Sequence, residues 1–212
     1  MENPDFWHAK WKSDKIGFHK DTYHSSLVKY WAGLNLAGGS AVFVPLCGKS
    51  SDMIWLAEQG HTVIGNELSA IAASDFFTEN KIEYEISQSG NFQKYQGGAY
   101  TILVGDFFDL AKADIPNIKA VYDRAALIAL PTKMRQRYVR HLACLLDGGS
   151  QILLITLAYD QASKDGPPFS VTSDEMQMSF GTWCGIQALE TSPPEDFRGI
   201  HANETAYRIG VK

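Results

Sequence analysis

The stretch AVFVPLCGKSSDMIWLAEQGHTVIGNEL, residues 41–68, decides the fold. It begins with an apolar run at 41–46, continues with helical spacing of apolar residues over 51–60, and ends in a short strand at 62–66 that leads to Glu67. In an open α/β sheet, nucleotides bind at the carboxyl ends of such strands, and an acid about 20 residues after the first turn accepts hydrogen bonds from both ribose hydroxyls. Glu67 stands at that place, so the stretch predicts an adenosine-containing ligand.

The turn after the first strand narrows the choice of ligand. Dinucleotide folds use G-x-G-x-x-G around a pyrophosphate, but this turn contains only Gly48. A phosphate-binding P-loop requires G-x-x-x-x-G-K-[ST]; Gly48-Lys49-Ser50 matches its end, yet Phe43 occupies the first glycine position. A ligand with an amino-acid tail in place of a pyrophosphate needs fewer backbone amides, so we predict S-adenosylmethionine as the cofactor.

Five segments of the chain carry a family resemblance. They are FWHAKWKSDKIGFH at 6–19, VFVPLCGKSSDMIWLAEQGHTVIGNELS at 42–69, FFTEN at 76–80, YDRAALIAL at 122–130 and AYDQASKDGPPFSVTSDEM at 158–176. In these segments the chain resembles the thiopurine S-methyltransferase family, in particular its bacterial members. The resemblance implies methyl transfer from S-adenosylmethionine to the sulfur of aromatic or heterocyclic thiols such as thiopurines. Selenium or tellurium compounds are further acceptors that a bacterial detoxification role would involve.

Length, charge and cysteine content limit the classes of protein to which this chain can belong. A chain of 212 residues with 45% hydrophobic content predicts one domain, 1–212, with an ample core. A net charge of −5 and a pI near 5.6 argue against nucleic acid or an anionic membrane as a partner. Three separate cysteines without a C-x-x-C motif predict reduced thiols, and no export signal or membrane-length apolar run is present. We therefore expect a cytoplasmic protein, and we expect it to be a monomer.

The order of predicted elements indicates the architecture. Strands alternate with helices from residue 41 onward, which predicts a mostly parallel, doubly wound sheet, and two late strands near 183–190 and 204–211 predict an antiparallel hairpin at one edge. The resemblance likewise implies a Rossmann-like, seven-stranded class I methyltransferase core at 38–212, behind an N-terminal lid and helix at 1–37. We expect the helix through Leu27 and Leu34 to end at Gly38-Gly39.

Four residues at or just after the carboxyl ends of strands are predicted to bind the cofactor at that edge of the sheet. Glu67 is the ribose acceptor, and Leu46 in the first turn contacts the ligand through backbone and side chain. Asp106 and Phe107 follow the third strand, where an acid can accept from the adenine amino group and a ring can stack on the base. The resemblance places this pair near adenine.

The N-terminal arm is predicted to cover the ligand. Trp7, Trp11 and Phe18 lie in a polar segment with little periodicity, and aromatic faces attract a cation such as a sulfonium by roughly 0.5–2 kcal/mol. By resemblance, Trp11 contacts S-adenosylmethionine, Trp7 lies beside it and Phe18 flanks the acceptor. The arm also contains His8, His19 and His24, whose spacing fits no zinc motif, so no metal is predicted.

The fourth strand and a later loop supply the remaining candidates. Arg124 is placed by the resemblance at the methionine moiety near the acceptor, where it is a possible contact of the transition state, with Asp123 as its expected ion-pair partner. Pro167 and Phe169, in the sequence GPPF, are placed at the acceptor rim by the resemblance. The arginines at 135, 137 and 140 are expected to form the solvated face of a helix.

The predicted mechanism is a single in-line displacement on a soft nucleophile, which requires positioning and desolvation rather than a dedicated base. Two features depart from the family pattern: Ala125 follows Arg124 where the familiar run is D-R-G, and residues 199–207 match the acceptor-lining segment poorly. Three alternatives stay open at this point. They are an S-adenosylmethionine-binding module without catalysis, a nicotinamide-dependent oxidoreductase lacking the usual glycines, and a methyltransferase for halide or thiocyanate.

Overall fold

A computed structural model describes residues 4–17, 19–197 and 199–212 of the chain. The helices are α1 (Pro4–Lys12), α2 (Ser25–Tyr30), α3 (Asp52–Glu58), α4 (Ala70–Glu79), α5 (Thr132–Leu145) and α6 (Ser173–Phe180). The strands are β1 (Ala41–Val44), β2 (Thr62–Glu67), β3 (Glu85–Ser89), β4 (Phe92–Gly97), β5 (Tyr100–Val104), β6 (Ile118–Arg124), β7 (Gln151–Ala158), β8 (Cys184–Thr191), β9 (Glu195–Asp196) and β10 (His201–Val211).

The strands form one mixed sheet in the order β3-β4-β5-β2-β1-β6-β7-β10-β8, with β9 paired to β10. Strands β5, β2, β1, β6 and β7 are parallel, and β10 and β8 run antiparallel at one edge, so the predicted α/β fold with its edge hairpin is confirmed. The sheet is larger than the predicted seven strands. Strands β3 and β4 add an antiparallel hairpin beside β5.

The sheet separates two apolar cores because neighbouring residues of each central strand point to opposite faces. Val42 and Tyr122 pack with α2, α3 and α4 on one face, whereas Phe43 and Val121 pack with α5 and α6 on the other. Both faces of β1, β6 and β7 are therefore covered. This double burial accounts for the nearly continuous apolar runs of the central strands and fixes their carboxyl ends at one edge of the sheet.

Two predicted details of the helices are wrong. The N-terminal helix does not continue to Gly38-Gly39: α2 passes into a 3₁₀ turn, Trp31–Leu34, and Asn35 ends it in a left-handed conformation with φ of 54°. Arg135 does not lie on a solvated face. Its guanidinium is buried between α5 and α6, where Nε and Nη2 donate to the Glu175 carboxylate at 2.6 and 2.8 Å.

No helix among the described residues is both long and apolar enough to cross a membrane.

Candidate active site

A cavity of about 400 Å³ lies over the carboxyl ends of β1, β2, β6 and β7. The N-terminal segment closes it from above, and the loop that contains Pro167 and Pro168 forms part of its rim. This is the edge of an open α/β sheet where the strand order reverses around β1, the usual position of a ligand in such folds. The tertiary structure therefore brings Leu46, Glu67 and Arg124 together with the predicted lid around one space.

The turn after β1 has a left-handed backbone at two positions. Leu46 has φ of 47° and Gly48 has φ of 54°, and both residues line the cavity. The N–H of Cys47 donates to the carbonyl of Asn66 at 2.9 Å, which fixes the turn to the end of β2. Gly65 permits this approach because a Cβ at that position would lie 2.6 Å from the Cys47 Sγ. The single-glycine turn thus exposes its backbone to the cavity while remaining tied to the neighbouring strand.

Glu67 occupies the end of β2 with both carboxylate oxygens engaged by backbone. Its Oε2 accepts from the N–H of Gly48 at 2.9 Å, and its Oε1 accepts from the N–H of Ser69 at 2.8 Å. Burial raises the pKa of Glu67, and the backbone donors at Ser69, Gly48 and Leu68 act in the opposite direction. Each oxygen of an ionised carboxylate accepts more than one hydrogen bond, so both retain capacity for a hydroxyl of a ligand.

The lid residues lie on a helix, although the sequence predicted little periodicity in this segment. Trp7, Lys10 and Trp11 of α1 are spaced i, i+3 and i+4, so they share the helix face that lines the cavity. The indole of Trp11 is buried, and its six-membered ring would meet a Cβ at Gly48 at 3.0 Å. Trp11 therefore closes directly onto the turn after β1. Phe18, the third predicted aromatic, lies outside the described residues.

Arg124 points into the cavity from the end of β6, but its ion-pair partner is not Asp123. Its Nη1 lies 3.4 Å from Oδ2 of Asp52, a fully buried carboxylate that also accepts from the Tyr122 hydroxyl at 3.0 Å and from the N–H of His24 at 2.8 Å. The predicted Asp123–Arg124 pair is wrong because successive residues of a strand point to opposite faces. Asp52 therefore anchors the guanidinium to α3.

Asp123 instead lies on the other face of the sheet. Its Oδ2 accepts from the Tyr138 hydroxyl at 2.6 Å and its Oδ1 from the N–H of Leu127 at 3.1 Å. Burial raises the pKa of Asp123 to about 6, against the hydrogen bonds from Tyr138 and the backbone. This carboxyl braces the segment after β6 against α5.

Ala125, directly after Arg124, also has a left-handed backbone, with φ of 63°. A side chain in this region costs roughly 1–2 kcal/mol relative to the right-handed conformation. Leu46 and Ala125 thus hold strained conformations at the ends of the adjacent strands β1 and β6, and both line the cavity. Such strain is concentrated at functional sites in proteins generally.

The residues after β5 do not line the cavity. The Phe107 ring is buried in the core, where it packs on Tyr138 with ring centroids 4.7 Å apart. The predicted stacking of this ring on a base is therefore not supported. The Asp106 side chain accepts from the N–H of Phe108 at 3.0 Å as the cap of a short 3₁₀ turn. A contact of this pair with adenine stays a prediction.

At the rim, Pro167 lines the cavity as predicted, and the next residue, Pro168, lines it as well. Phe169 is not among the lining residues. Its ring folds back over Gly166, and the Arg135 guanidinium lies 6.0 Å from the ring centroid. A role of Phe169 in acceptor binding therefore stays a prediction that this arrangement does not support.

Several polar residues of the site were missed by the sequence analysis, and three of them are linked to one another by hydrogen bonds. They are Asp52, His24 and Glu204; His24 and Glu204 line the cavity and Asp52 lies beneath Arg124. The sequence carried a partial signal for His24, which was noted only in the test for metal spacing. Glu204 lies in the segment that departs from the family pattern, where the sequence offered no motif.

Comparison with solved structures identifies the class. The fold matches magnesium protoporphyrin IX methyltransferase from Synechocystis with bound S-adenosylhomocysteine at a TM-score of 0.67, over 99% of this chain and 100% of that chain, with 15% identity. It matches an S-adenosylmethionine-dependent methyltransferase from Anabaena variabilis at a TM-score of 0.66, over 99% and 95%, with 13% identity. The fold is therefore that of the class I S-adenosylmethionine-dependent methyltransferases.

Sequence comparison then gives the family. The profile of the family Thiopurine S-methyltransferase (TPMT) matches residues 2–205. The chain is 48% identical over 195 residues to a thiopurine S-methyltransferase of Pseudomonas fluorescens, covering 92% of this chain and 86% of that protein. It is 44% identical over 212 residues to one of Pseudomonas entomophila, covering 97% and 98%. The chain belongs to the thiopurine S-methyltransferase family and is an S-adenosylmethionine-dependent methyltransferase.

Proposed function

We propose that this protein transfers the methyl group of S-adenosylmethionine to the sulfur of aromatic or heterocyclic thiols, thiopurines included. One observation carries the proposal. A single cavity connects the buried Glu67 carboxylate at the end of β2 with the Pro167-Pro168 rim on the far side of the sheet edge. One end of the cavity, here called the polar pole, suits a nucleoside. The other end, the apolar pole, suits a flat acceptor, and the two ends are continuous.

The residues at the polar pole fit S-adenosylmethionine. Glu67 presents two carboxylate oxygens that can each accept a ribose hydroxyl, while Leu46 and Gly48 present the backbone of the turn. Arg124 is held by Asp52 with its guanidinium at the cavity, where it can bind the carboxylate of the methionine moiety. Trp11 covers the space between them with an aromatic surface suited to a sulfonium.

The residues at the other pole fit a flat, apolar acceptor. Ile128, Leu157, Pro167, Pro168 and Phe197 line this end of the cavity with hydrophobic surface. Phe18 remains a proposed flank of the acceptor. Lys10, Lys15 and Lys20 also line the cavity, and their positive charges support oxyanions of selenium and tellurium as additional acceptors in this proposal.

The chemistry follows from the placement of these groups. When bound, S-adenosylmethionine supplies a methyl group on a positively charged sulfur. In this proposal the lid would exclude water and the two ends of the cavity would hold cofactor and acceptor next to each other, so positioning and desolvation would lower the barrier. Cys47 lines the cavity but is not suited to covalent catalysis, because burial and the charge of Glu67 raise the pKa of its thiol and keep it protonated.

The proposal extends to cellular context. We propose a protein that works as a monomer in the cytoplasm. The residues that line the cavity all come from one chain, which supports a catalytic unit that needs no second copy.

The test begins with calorimetric titration of the protein with S-adenosylhomocysteine, with NADH titrated in parallel. We expect micromolar binding of the first and none of the second. Methyl transfer is then measured with 6-mercaptopurine, thiophenol, selenite and tellurite as acceptors. Binding of S-adenosylhomocysteine without methyl transfer to any thiol would favour the alternative of a binding module without catalysis. Binding of NADH alone would contradict the assignment of the turn after β1 to S-adenosylmethionine.

A further inference from the structure

The carboxylate of Glu204, which no sequence motif predicted, lies at the acceptor end of the cavity. Glu204 is on β10, opposite Leu157 of β7, and both residues line the cavity. Its backbone is held by Ser192, since its N–H donates to Ser192 Oγ at 3.0 Å and its carbonyl accepts from the Ser192 N–H at 2.8 Å. The side chain is 38% exposed, so the carboxylate opens onto the cavity rather than lying within the core.

His24 orients this carboxylate through a defined tautomer. The Nδ1 of His24 accepts from the N–H of Ser26 at 3.3 Å as the cap of α2. A nitrogen that accepts carries no proton, so the neutral ring has its hydrogen on Nε2. Nε2 lies 3.3 Å from Oε2 of Glu204 and donates to it. Within the described parts of the chain, no hydrogen bond engages Oε1, which is left to accept from a ligand.

The surroundings keep Glu204 ionised. Burial alone would raise its pKa, but the hydrogen bond from His24 and the nearby positive charges, Lys20 and Arg124 among them, outweigh burial and hold the pKa of Glu204 below its usual value. These groups come from the residue that caps α2, from the N-terminal segment and from β6. At neutral pH the cavity therefore contains a fixed, oriented carboxylate at the end opposite Glu67.

We propose that Glu204, positioned by His24, is the proton acceptor for thiols that enter the cavity uncharged. The inference rests on the proposed function, S-methylation of a thiol. As the acceptor sulfur forms its bond to the methyl carbon, the bond between that carbon and the sulfonium sulfur breaks and leaves neutral S-adenosylhomocysteine. The proton of the thiol passes to Oε1 of Glu204, and the carboxylic acid then releases it to solvent at the cavity mouth.

A carboxylate is a sufficient base for this step. A free thiol is a much weaker acid than a carboxylic acid, so Glu204 does not generate a thiolate in advance. Once the methyl group has begun to bond, however, the sulfur carries positive charge and its proton becomes strongly acidic. General-base catalysis of this kind contributes typically 10²–10⁴-fold in rate. Thiols that are already ionised need no such help, which makes the contribution of Glu204 dependent on the acceptor.

The experiment compares Glu204→Gln with the wild type on two acceptors at about pH 7.5. One is 4-nitrothiophenol, which is ionised at this pH, and the other is phenylmethanethiol, which is protonated as ordinary alkyl thiols are. We expect kcat/KM of the variant to fall about 10²–10⁴-fold with phenylmethanethiol and less than about threefold with 4-nitrothiophenol. The affinity for S-adenosylhomocysteine, measured by calorimetry, should be unchanged.

Two further variants complete the design. Glu190→Gln removes an exposed carboxylate on the adjacent strand β8, where Glu190 pairs with Lys29, and should change neither rate. His24→Asn keeps a residue that can cap α2 but is too short to orient Glu204, so it should show a partial loss that is again confined to phenylmethanethiol.

The outcomes separate the inference from the proposed function. Equal losses with both thiols would show that Glu204 shapes the pocket, and no loss with phenylmethanethiol would exclude it as a base; either result overturns the inference while methyl transfer stands. Wild-type transfer to 4-nitrothiophenol alone would also overturn it. Transfer to neither thiol would instead contradict the proposed function.

Discussion

The substitution Glu67→Gln tests the most specific part of the site. In the structure, each carboxylate oxygen accepts one backbone N–H, from Gly48 at 2.9 Å and from Ser69 at 2.8 Å. Glutamine has one oxygen and one NH₂ group, so it can accept from only one of these N–H donors. Its NH₂ group, itself a donor, then faces the other N–H. A hydrogen bond to a charged group contributes about 1.5–3 kcal/mol. We expect the free energy of unfolding of the ligand-free protein to fall by about that amount.

The same change should weaken cofactor binding separately. Two ribose hydroxyls that donate to a buried carboxylate form charge-assisted bonds, and replacing the charge with an amide removes about 1.5–3 kcal/mol of binding free energy. This corresponds to a roughly ten- to hundredfold increase in Kd. Calorimetry with S-adenosylhomocysteine measures the affinity, and urea denaturation measures the stability. Glu85→Gln, on the exposed face of β3, is the matched control and should change neither quantity.

The pH dependence gives an independent check. Burial raises the pKa of Glu67, so its carboxylate takes up a proton at a higher pH than an ordinary glutamate does. Because the ribose hydroxyls require an acceptor, the wild-type affinity should fall as the pH is lowered through that raised pKa, whereas the glutamine variant should lack this component. Unchanged affinity together with reduced stability would restrict Glu67 to bracing the turn and would refute its role as ribose acceptor.

Three other substitutions test the lid, the strained strand end and the buried acid. Trp11→Ala should weaken binding of S-adenosylmethionine more than of S-adenosylhomocysteine, by an additional 0.5–2 kcal/mol or so, if the indole attracts the sulfonium; calorimetry with both ligands measures the difference. Ala125→Gly should raise the free energy of unfolding by about 0.5–1 kcal/mol, because glycine adopts a φ of 63° without strain but loses more entropy on folding. Asp123→Asn should remove a pH-dependent component of stability. The folded-state pKa of Asp123 is raised from 3.8 to about 6, so its protonated form favours the folded state, and that contribution, up to about 3 kcal/mol, is lost as the pH rises from about 4 to above 6.

Each of these expectations has a contrary outcome. Equal losses of both ligands on Trp11→Ala would reduce Trp11 to a cover that excludes water. A lower stability of Ala125→Gly would mean that the methyl group contributes more through packing than its conformation costs. For Asp123, urea denaturation at several pH values gives the difference between wild type and variant. A difference that does not change with pH would show that the carboxyl titrates alike in the folded and unfolded chain.

The local pattern of the sequence predicted the elements that surround the polar pole of the cavity. The strand, turn, helix and strand at 41–67 appear as β1, α3 and β2 because apolar periodicity over a few residues specifies each of them. Glu67 could be placed from sequence alone because strand ends in an open sheet face one edge.

Side-chain direction decided which neighbours of these elements reach the site. Asp123 and Arg124 are adjacent in sequence but lie on opposite faces of β6, so one braces α5 and the other enters the cavity. Phe107 follows β5 at the position expected for adenine, yet its ring completes the core. Arg135 belongs to a helix with a polar pattern, but the packing of α6 supplies Glu175 and buries the pair. A one-dimensional pattern contains no information on these facing elements.

The sequence by itself determined the class of fold, the family and the position of Glu67 at the end of β2. Each of these depends on local periodicity or on contiguous motifs. Only the tertiary structure decided the partners of the charged groups. Asp52 and Arg124 are 72 residues apart, and His24 and Glu204 are 180 residues apart. They meet because parallel strands gather their carboxyl ends at one edge and an antiparallel hairpin returns β10 beside β7. Both contacts join charged residues that are far apart in the sequence, so these partners became visible only when the sheet was assembled.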